Sequence, residues 1–402
     1  MESRIFSTYK CDLLKEVDAT ESMDPQHRAE VIQRGDTGPL PELVKLYEKM
    51  HDIYPQLPYF TARLGDLFRY MDAEALAVVY YRKAKDDLYE LGDDDEALEG
   101  LFLEFGRRAY NQAVDDANTA RLAGPYHQPW KTTALHDYPS NLPYPSGHEQ
   151  LHSQWSSHLM TPHSPVFRKY MRYLAVHSNH LESEFLLTKD SAQDIVENGV
   201  DEGAVQCEGS SFVTEPLSIK TILEDMLDVY DTVWQIADNQ KPISKEMLSQ
   251  IHTRFMDTCR FVSDNHYIAA GVTRTDTLKT VVIRGDQPIQ LCPYPDVVKE
   301  LAYICNVLNV NMPLKWKNPF AAASWIHLVL VRCHPFEDGN GRLSRMIASL
   351  PLIQHGYPPI SLTLPLQEEY HRAIGKAYFG DHGPMVAVIF KGMLQSLESV
   401  ES

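Results

Sequence analysis

From Pro39 to Ala123 the chain is rich in Ala, Leu, Glu, Lys and Tyr, and helix formers outweigh β-branched residues. This pattern predicts helices throughout. Between Gly124 and Pro165 the character changes, with Pro125, Pro129, Pro139, Pro143, Pro145, Pro162 and Pro165 spread along the stretch. Each proline removes a helical hydrogen bond and crowds the preceding turn, so long helices are excluded and a linker or irregular packed loop is expected. Beyond Val166 helical spacing returns, predicting helices over 166–187, 218–237, 245–261, 297–309, 319–332, 342–354, 367–379 and 384–397. Pro319 suits a helix start, and Trp325, Leu328, Val329 and Arg332 follow at intervals of three and four. One segment departs from this period. Thr280–Ile283 and Pro288–Leu291 flank Arg284-Gly285-Asp286-Gln287, which reads as a short β-hairpin turning at Gly285-Asp286. An isolated hairpin is marginal in water, so it must lie against the helical body or a partner. The expected fold class is all-α, predominantly helical, with this small hairpin.

Within the first helical region, Leu64, Gly65, Phe68, Ala77, Tyr81 and Ala84 fall at positions 7, 8, 11, 20, 24 and 27 of a 34-residue frame starting at Pro58. That frame resembles the tetratricopeptide repeat, whose small residues let two antiparallel helices approach closely. Tyr47 and Pro55 occupy positions 24 and 32 of the frame before it. Downstream, Phe105, Gly106 and Ala109 keep only a helical flavour. A plain helical hairpin is the alternative.

Composition narrows the classes. A chain of 402 residues suggests two or three domains, and 44% hydrophobic with 23% charged residues is ordinary for a globular protein. The formal charge of −18 argues against sequence-blind nucleic-acid binding, which needs a basic surface, yet leaves room for a local basic pocket. Cys11, Cys207, Cys259, Cys292, Cys305 and Cys333 form no C-x-x-C pair, so a reduced compartment is the simpler reading. His127, His136, His148, His152, His158 and His163 crowd the proline-rich stretch without the spacing of a ligand set. Met1–Thr20 holds no signal-like apolar run, and no run of about 18 apolar residues occurs. The expectation is a soluble cytoplasmic or nuclear protein without membrane or nucleic-acid partners.

The chemistry concentrates in His334-Pro335-Phe336-Glu337-Asp338-Gly339-Asn340-Gly341-Arg342-Leu343-Ser344-Arg345. The run reads as a helix end, a tight polar loop and a new helix start. Gly-Asn-Gly permits positive φ and close backbone approach. Successive N–H groups there can form an anion nest, and the following helix aims its positive end at the same spot. Arg342 and Arg345 lie three apart on that helix and share a face, which suits a polyphosphate cradle. Asp338 offers a hard oxygen for Mg²⁺, and His334 a base working near neutral pH. Loops of Asp, Gly and Asn are common turns and arginine pairs often only solvate a surface, but the full set in this order favours a site.

This run resembles the signature of the Fic family, H-x-F-x-D/E-G-N-G/K-R-x-x-R, matched by His334, Phe336, Asp338, Gly339, Asn340, Gly341, Arg342 and Arg345. The similarity extends to Trp325, His327 and Gly356–Ile360, covering roughly Val166 to Leu397. The resemblance implies transfer of AMP from ATP to a hydroxyl of a target protein. His334 would deprotonate the incoming hydroxyl, and Asp338 would hold Mg²⁺ across the α- and β-phosphates. The Gly339–Gly341 backbone, Asn340 and Arg342 would bind phosphates, Arg345 would take the γ-phosphate, and Phe336 would pack as core. Thr280, Val281, Val282 and Ile283 resemble the family's flap, which registers a target strand; Val282, Ile283, Arg284 and Gly285 would border the nucleotide. On the late helix, Tyr378 stands where related chains place an adenine-contacting Asn, and Tyr370 lies two turns earlier.

A second resemblance concerns regulation. Family members with a built-in brake carry S/T-x-x-x-E-G/N, and this chain has Ser178-Asn179-His180-Leu181-Glu182-Ser183. By that likeness Glu182 would pair with Arg345 and withdraw it from the γ-phosphate; Ser183 departs from the usual Gly or Asn. Repeat-like helices, linker, brake and motif together resemble the eukaryotic branch whose members modify an Hsp70-type chaperone, can also remove AMP, and are dimeric. The implied organisation is an extension over 1–37, a repeat-like region over 38–123, a linker over 124–165 and a Fic domain over 166–398. Two rivals stay open: transfer of another nucleotide such as UMP, and a scaffold in which the motif only binds nucleotide.

Overall fold

The computed structural model describes residues 23–34, 39–159, 164–211, 213–263, 266–312 and 316–402. Cys11, Pro162, His163 and most of the expected 1–37 extension lie outside the described residues. In chain order the helices are α1 (Pro25–Arg34), α2 (Leu40–Ile53), α3 (Pro58–Tyr70), α4 (Glu74–Glu90), α5 (Glu96–Leu122), α6 (His148–Leu159), α7 (Pro165–Glu182), α8 (Lys189–Asn198), α9 (Pro216–Asn239), α10 (Lys245–Met256), α11 (Arg274–Thr277), α12 (Val297–Asn311), α13 (Pro319–Cys333), α14 (Asn340–Ala348), α15 (Leu350–Gln354), α16 (Gln367–Tyr378) and α17 (Gly383–Glu401). The strands are β1 (Phe261–Ser263), β2 (His266–Tyr267), β3 (Val282–Ile283) and β4 (Ile289–Gln290), paired as two antiparallel hairpins. The all-α expectation holds.

The chain divides into two compact units, Met1–Gly124 with Arg260–Thr280, and Pro125–Cys259 with Val281–Ser402. In the first, α3 and α4 are joined by three residues and all six positions of the repeat-like frame are buried. Gly65 explains the frame: a Cβ there would lie 2.6 Å from Cε1 of Tyr81, so only glycine lets the helices close on one another. The Tyr81 hydroxyl then donates to Asp66 at 2.7 Å, and Arg63 pairs with Asp66 at 2.6 Å, both fully inside. Met23 and Val31 share this core, as do Tyr267 and Ala269. The expected boundaries therefore shift: α1, at the end of the 1–37 extension, and residues 260–280 belong to the repeat-like unit.

The second unit contains the proline-rich stretch, and the expected separate linker over 124–165 is a packed part of that unit. The reason is visible in its backbone carbonyls. Trp325 Nε1 donates to the His136 carbonyl at 2.8 Å, Asn318 to that of Leu142 at 2.8 Å and the Tyr378 hydroxyl to that of Pro129 at 2.6 Å. Within the stretch α6 forms, and Trp155 on it is completely buried beside Tyr170 and Phe167.

Helix α13 is buried nearly all round, well beyond the positions at three and four spacing. Asn318 caps it through bonds from Phe320 N and Ala321 N, with Pro319 in its first turn. The helix expected over 342–354 is broken at Ser349, because Pro351 cannot continue the ladder of α14. Helix α10 stops at Met256 rather than 261 because the chain turns into β1. Helix α8 was not foreseen; Thr188 caps its start, and it ends at Gly199 with φ of 117°. Among the described residues, no helix is long and apolar enough to cross a membrane.

Candidate active site

His334 ends α13 in the left-handed region, φ 47° and ψ 61°, with its N–H donating to the Leu330 carbonyl at 2.9 Å. The chain then runs through Pro335–Asp338 and enters α14 at Asn340. Asn340 makes the corner rigid: its Oδ1 accepts from Phe336 N at 3.0 Å and its Nδ2 donates to the Phe336 carbonyl at 2.9 Å. It is buried at 2% exposure, so the side chain expected among phosphate ligands serves as an internal brace of the loop. Gly339, with φ of 72°, sits so close to α10 that a Cβ would fall 2.9 Å from Met256 Sδ and Phe255 Cε2. Phe336 is fully buried, as expected, and stacks on His252 with centroids 3.8 Å apart.

His252 was missed in the sequence. Burial pulls its pKa down to about 3, so its ring is neutral and Nε2–H donates to the Asp338 carbonyl at 2.9 Å. It carries no neighbouring motif residue that could have flagged it. The Asp338 side chain is exposed, and its Oδ1 accepts from Gly339 N at 2.7 Å, which leaves Oδ2 free of that bond. Among the described residues no group of three His, Cys, Asp or Glu side chains could hold a metal by itself. The donor set fits an ion that takes one carboxylate and completes its shell with water and substrate phosphates, the habit of Mg²⁺.

Two buried arginines leave the same helix. Arg345 is 1% exposed and donates through Nη1 to Glu182 Oε1 at 2.6 Å, and through Nη2 to Ser178 Oγ at 2.9 Å and the Ser178 carbonyl at 3.2 Å. Ser178 and Glu182, one helical turn apart, thus meet the same cation, the pairing with Arg345 that the resemblance implied for Glu182. Burial acts to raise the Glu182 carboxyl, but Arg345 and then Arg342 outweigh it and hold the group below its ordinary value. Glu182 also rests against the loop: a Cβ on Gly341 would lie 2.4 Å from its Oε1. Arg342, expected on phosphate, is fully buried, with Nη1 donating to Asn179 Oδ1 at 3.1 Å and Nη2 to Glu184.

The hairpin forms over a shorter span than Thr280–Leu291. Val282 pairs with Gln290 and Ile283 with Ile289, whereas Thr280 and Val281 are outside the strand. Residues 283–287, including Arg284 and Gly285, are exposed. Gln128 from the proline-rich stretch bridges Ile289 in parallel, and Gln290 N donates to the Gln128 carbonyl at 3.0 Å. The hairpin therefore lies against the helical unit through β4, and among the described residues no strand covers β3.

Arg332 fastens this arrangement: Nη2 donates to the Gln290 carbonyl at 2.6 Å and to that of Gln128 at 3.2 Å. Burial lowers its pKa to about 10. The expected base contact, Tyr378, is 3% exposed, hydrogen-bonded to Pro129, with Arg332 and Lys131 over its ring at 4.7 and 4.4 Å. Its hydroxyl is thus committed to the proline-rich stretch. Tyr370 is likewise buried, its hydroxyl 2.7 Å from His327 Nε2.

Comparison with known proteins now bears on this geometry. The Fic/DOC family model matches residues 242–352. Over 102 residues the chain is 32% identical to a protein adenylyltransferase fic-1 of Caenorhabditis briggsae, covering 25% of this chain and 20% of the relative. Over 72 residues it is 38% identical to a protein adenylyltransferase Fic of Drosophila persimilis, covering 18% and 14%. The chain therefore spans about one fifth or less of the length of these curated relatives. A Fic-domain-containing signalling protein from Bacteroides thetaiotaomicron superposes over 63% of this chain and 95% of its own, with a TM-score of 0.51 and 18% identity; that likeness speaks for the fold. The loop between α13 and α14 and the helices around it lie within residues 242–352, the part of the chain that matches the Fic/DOC family model.

Proposed function

We propose that this chain is a protein adenylyltransferase held back by its own Glu182. The observation that carries the reading is the pairing at one corner: a complete Fic loop whose Gly341 is covered by a carboxylate that also neutralises Arg345. ATP would lay its phosphates along the Gly339–Gly341 backbone at the start of α14, where N–H groups and the helix dipole favour negative charge. Mg²⁺, carried by Asp338 together with the phosphates, would supply charge neutralisation. His334 would take the proton from the target's hydroxyl as that oxygen bonds to the α-phosphorus; the bond to the departing pyrophosphate breaks, leaving AMP on the side chain. Positioning and charge neutralisation carry most of such a displacement.

The uncovered edge of β3 would register the target's backbone as an added strand. Tyr378 is engaged elsewhere, so the adenine contact falls to other groups and donor preference needs a direct comparison. The resemblance to the eukaryotic branch supports three finer proposals: a chaperone-type target, a homodimer, and removal of AMP as a second activity of the same site. The cytoplasm or nucleus is the proposed location.

The test is labelling of protein by radiolabelled ATP with Mg²⁺ in a cell extract. Glu182→Gly should raise incorporation roughly tenfold to a hundredfold, the range set by a charge-assisted hydrogen bond of about 1.5–3 kcal/mol. Adding His334→Ala should cut it by about a hundredfold or more, as loss of a general base does. Unchanged labelling without His334 would defeat the enzymatic reading, and equal labelling with and without Glu182 would remove the brake. Running ATP, UTP and GTP side by side decides the donor.

A further inference from the structure

The geometry points to Glu184 as a positioning residue: with Arg342 it forms the fixed half of a two-point clasp whose other, releasable half is Glu182 with Arg345. The inference rests on the proposed role of Glu182 and deepens it.

Arg342 and Arg345 are one helical turn apart and face the same way from α14. Their partners are two positions apart. In an unbroken helix, residues 182 and 184 would point about 200° away from each other and could not serve one face. The chain solves this at Ser183, which takes φ 61° and ψ 25° and ends α7. Beyond that turn, Glu184 N donates to the Asn179 carbonyl at 3.2 Å, and the Glu184 carbonyl accepts from Val213 N at 2.9 Å. Both carboxylates now reach α14.

The two pairs differ in exposure. Side-chain exposure is 0% and 10% for Arg342 and Glu184, against 1% and 29% for Arg345 and Glu182. Arg342 is further enclosed by Asn179 and by the Phe255 ring, 5.3 Å from its guanidinium. A buried, multiply bonded pair stays formed, because separating its charges leaves one stranded away from water. The partly open pair is the one a triphosphate or solvent can replace. Glu184 therefore does not touch nucleotide; it fixes the turn that presents Glu182 to Arg345. This also gives Arg342, the arginine expected on phosphate, a different task.

The experiment compares Glu184→Gln in the otherwise unchanged full chain and in the Glu182→Gly chain, reading both protein labelling and equilibrium binding of a fluorescent ATP analogue with Mg²⁺. In the unchanged chain, Glu184→Gln should raise labelling and tighten binding by about threefold or more, a coupling usual within one polar network. In the Glu182→Gly chain it should change neither. A fall in both backgrounds would mark Glu184 as merely structural and overturn the proposal.

Should Glu184→Gln fail to melt cooperatively, Ser183→Val serves instead, since a β-branched residue resists positive φ. It should release the brake in the same background-dependent way, and Ser183→Gly should tighten it. If Glu182→Gly raises labelling while neither Glu184→Gln nor Ser183→Val does, the clasp alone is wrong. If Glu182→Gly itself changes neither labelling nor binding, the brake falls and the clasp with it.

Discussion

The two units hold their buried polar groups over different ranges, with Arg260 of the repeat-like unit, paired with Glu48 across 212 positions, as the exception on its side. In the repeat-like unit, Arg63 meets Asp66 three positions along the same helix, and Tyr81 reaches Asp66 from the next helix, fifteen positions on. In the Fic unit, Arg332 bonds to Gln128, Arg342 to Asn179 and Arg345 to Ser178, across 204, 163 and 167 positions. A polar group satisfied inside one helical hairpin stabilises that hairpin and little else. Groups satisfied across the chain hold loops and helix ends against one another. The helical hairpin of the first unit is braced from within, and the helix ends and loops of the second are braced across the chain.

The widest separation between the units should come from acid. Burial holds His177, His252 and His327 down to about 3, and His180, His136 and His382 down to about 4, all in the Fic unit. Their folded values lie below the unfolded value near 6.5, so the unfolded chain binds more protons between the two. Stability is therefore complete above pH 6.5 and lost as pH falls below it, by about 1.4 kcal/mol per pH unit for each such histidine. Hydrogen exchange at pH 7 and pH 5 should show α7, α10 and α13 opening more easily at the lower pH, with α3 and α4 changing far less. The first unit offers His51, partly exposed, lowered by burial and then Lys83. Equal losses in both units would break the comparison.

Next in size is Trp155→Ala, on a helix of the proline-rich stretch. Emptying that fully buried site should cost the Fic unit about 3–5 kcal/mol in a denaturant melt, whereas a true linker residue would cost almost nothing. Gly65→Val sharpens the other side. A side chain forced against Tyr81 should destabilise the repeat-like hairpin by about 1–3 kcal/mol, read as faster exchange in α3 and α4. The smallest effect is expected at Ile283, 48% exposed on β3. Ile283→Asn should move the melting midpoint by less than the equivalent of about 0.5 kcal/mol, while lowering modification of a target that docks on that edge.

What could be read without coordinates follows the same division. The frame around Gly65 was legible because every contact it encodes lies within two adjacent helices. The loop from His334 to Arg345 was legible for the same reason: glycine conformations and the helix start are local. The separate linker was not, because proline content reports where helices cannot run, and says nothing of whether carbonyls such as those of Gln128 and Pro129 find buried donors. Glu182 was found only because its partner motif has a recognisable spacing. Glu184, two residues on, offered no such sign, since its use depends on a left-handed turn at a serine.

The order of residues thus determined, by itself, a mostly helical chain, a repeat-like hairpin, and a glycine-bearing corner with its histidine and two arginines. Tertiary structure decided who holds those arginines, that Asn340 and Tyr378 are bound inward, that His252 underlies the loop, and that the proline-rich stretch is part of the second unit. The physical reason is range. Backbone conformation and neighbouring side chains act over a few residues, so spacing encodes them. A buried charge takes whichever partners the packed faces bring to it, and for Arg332, Arg342 and Arg345 at least one of them lies more than a hundred positions away.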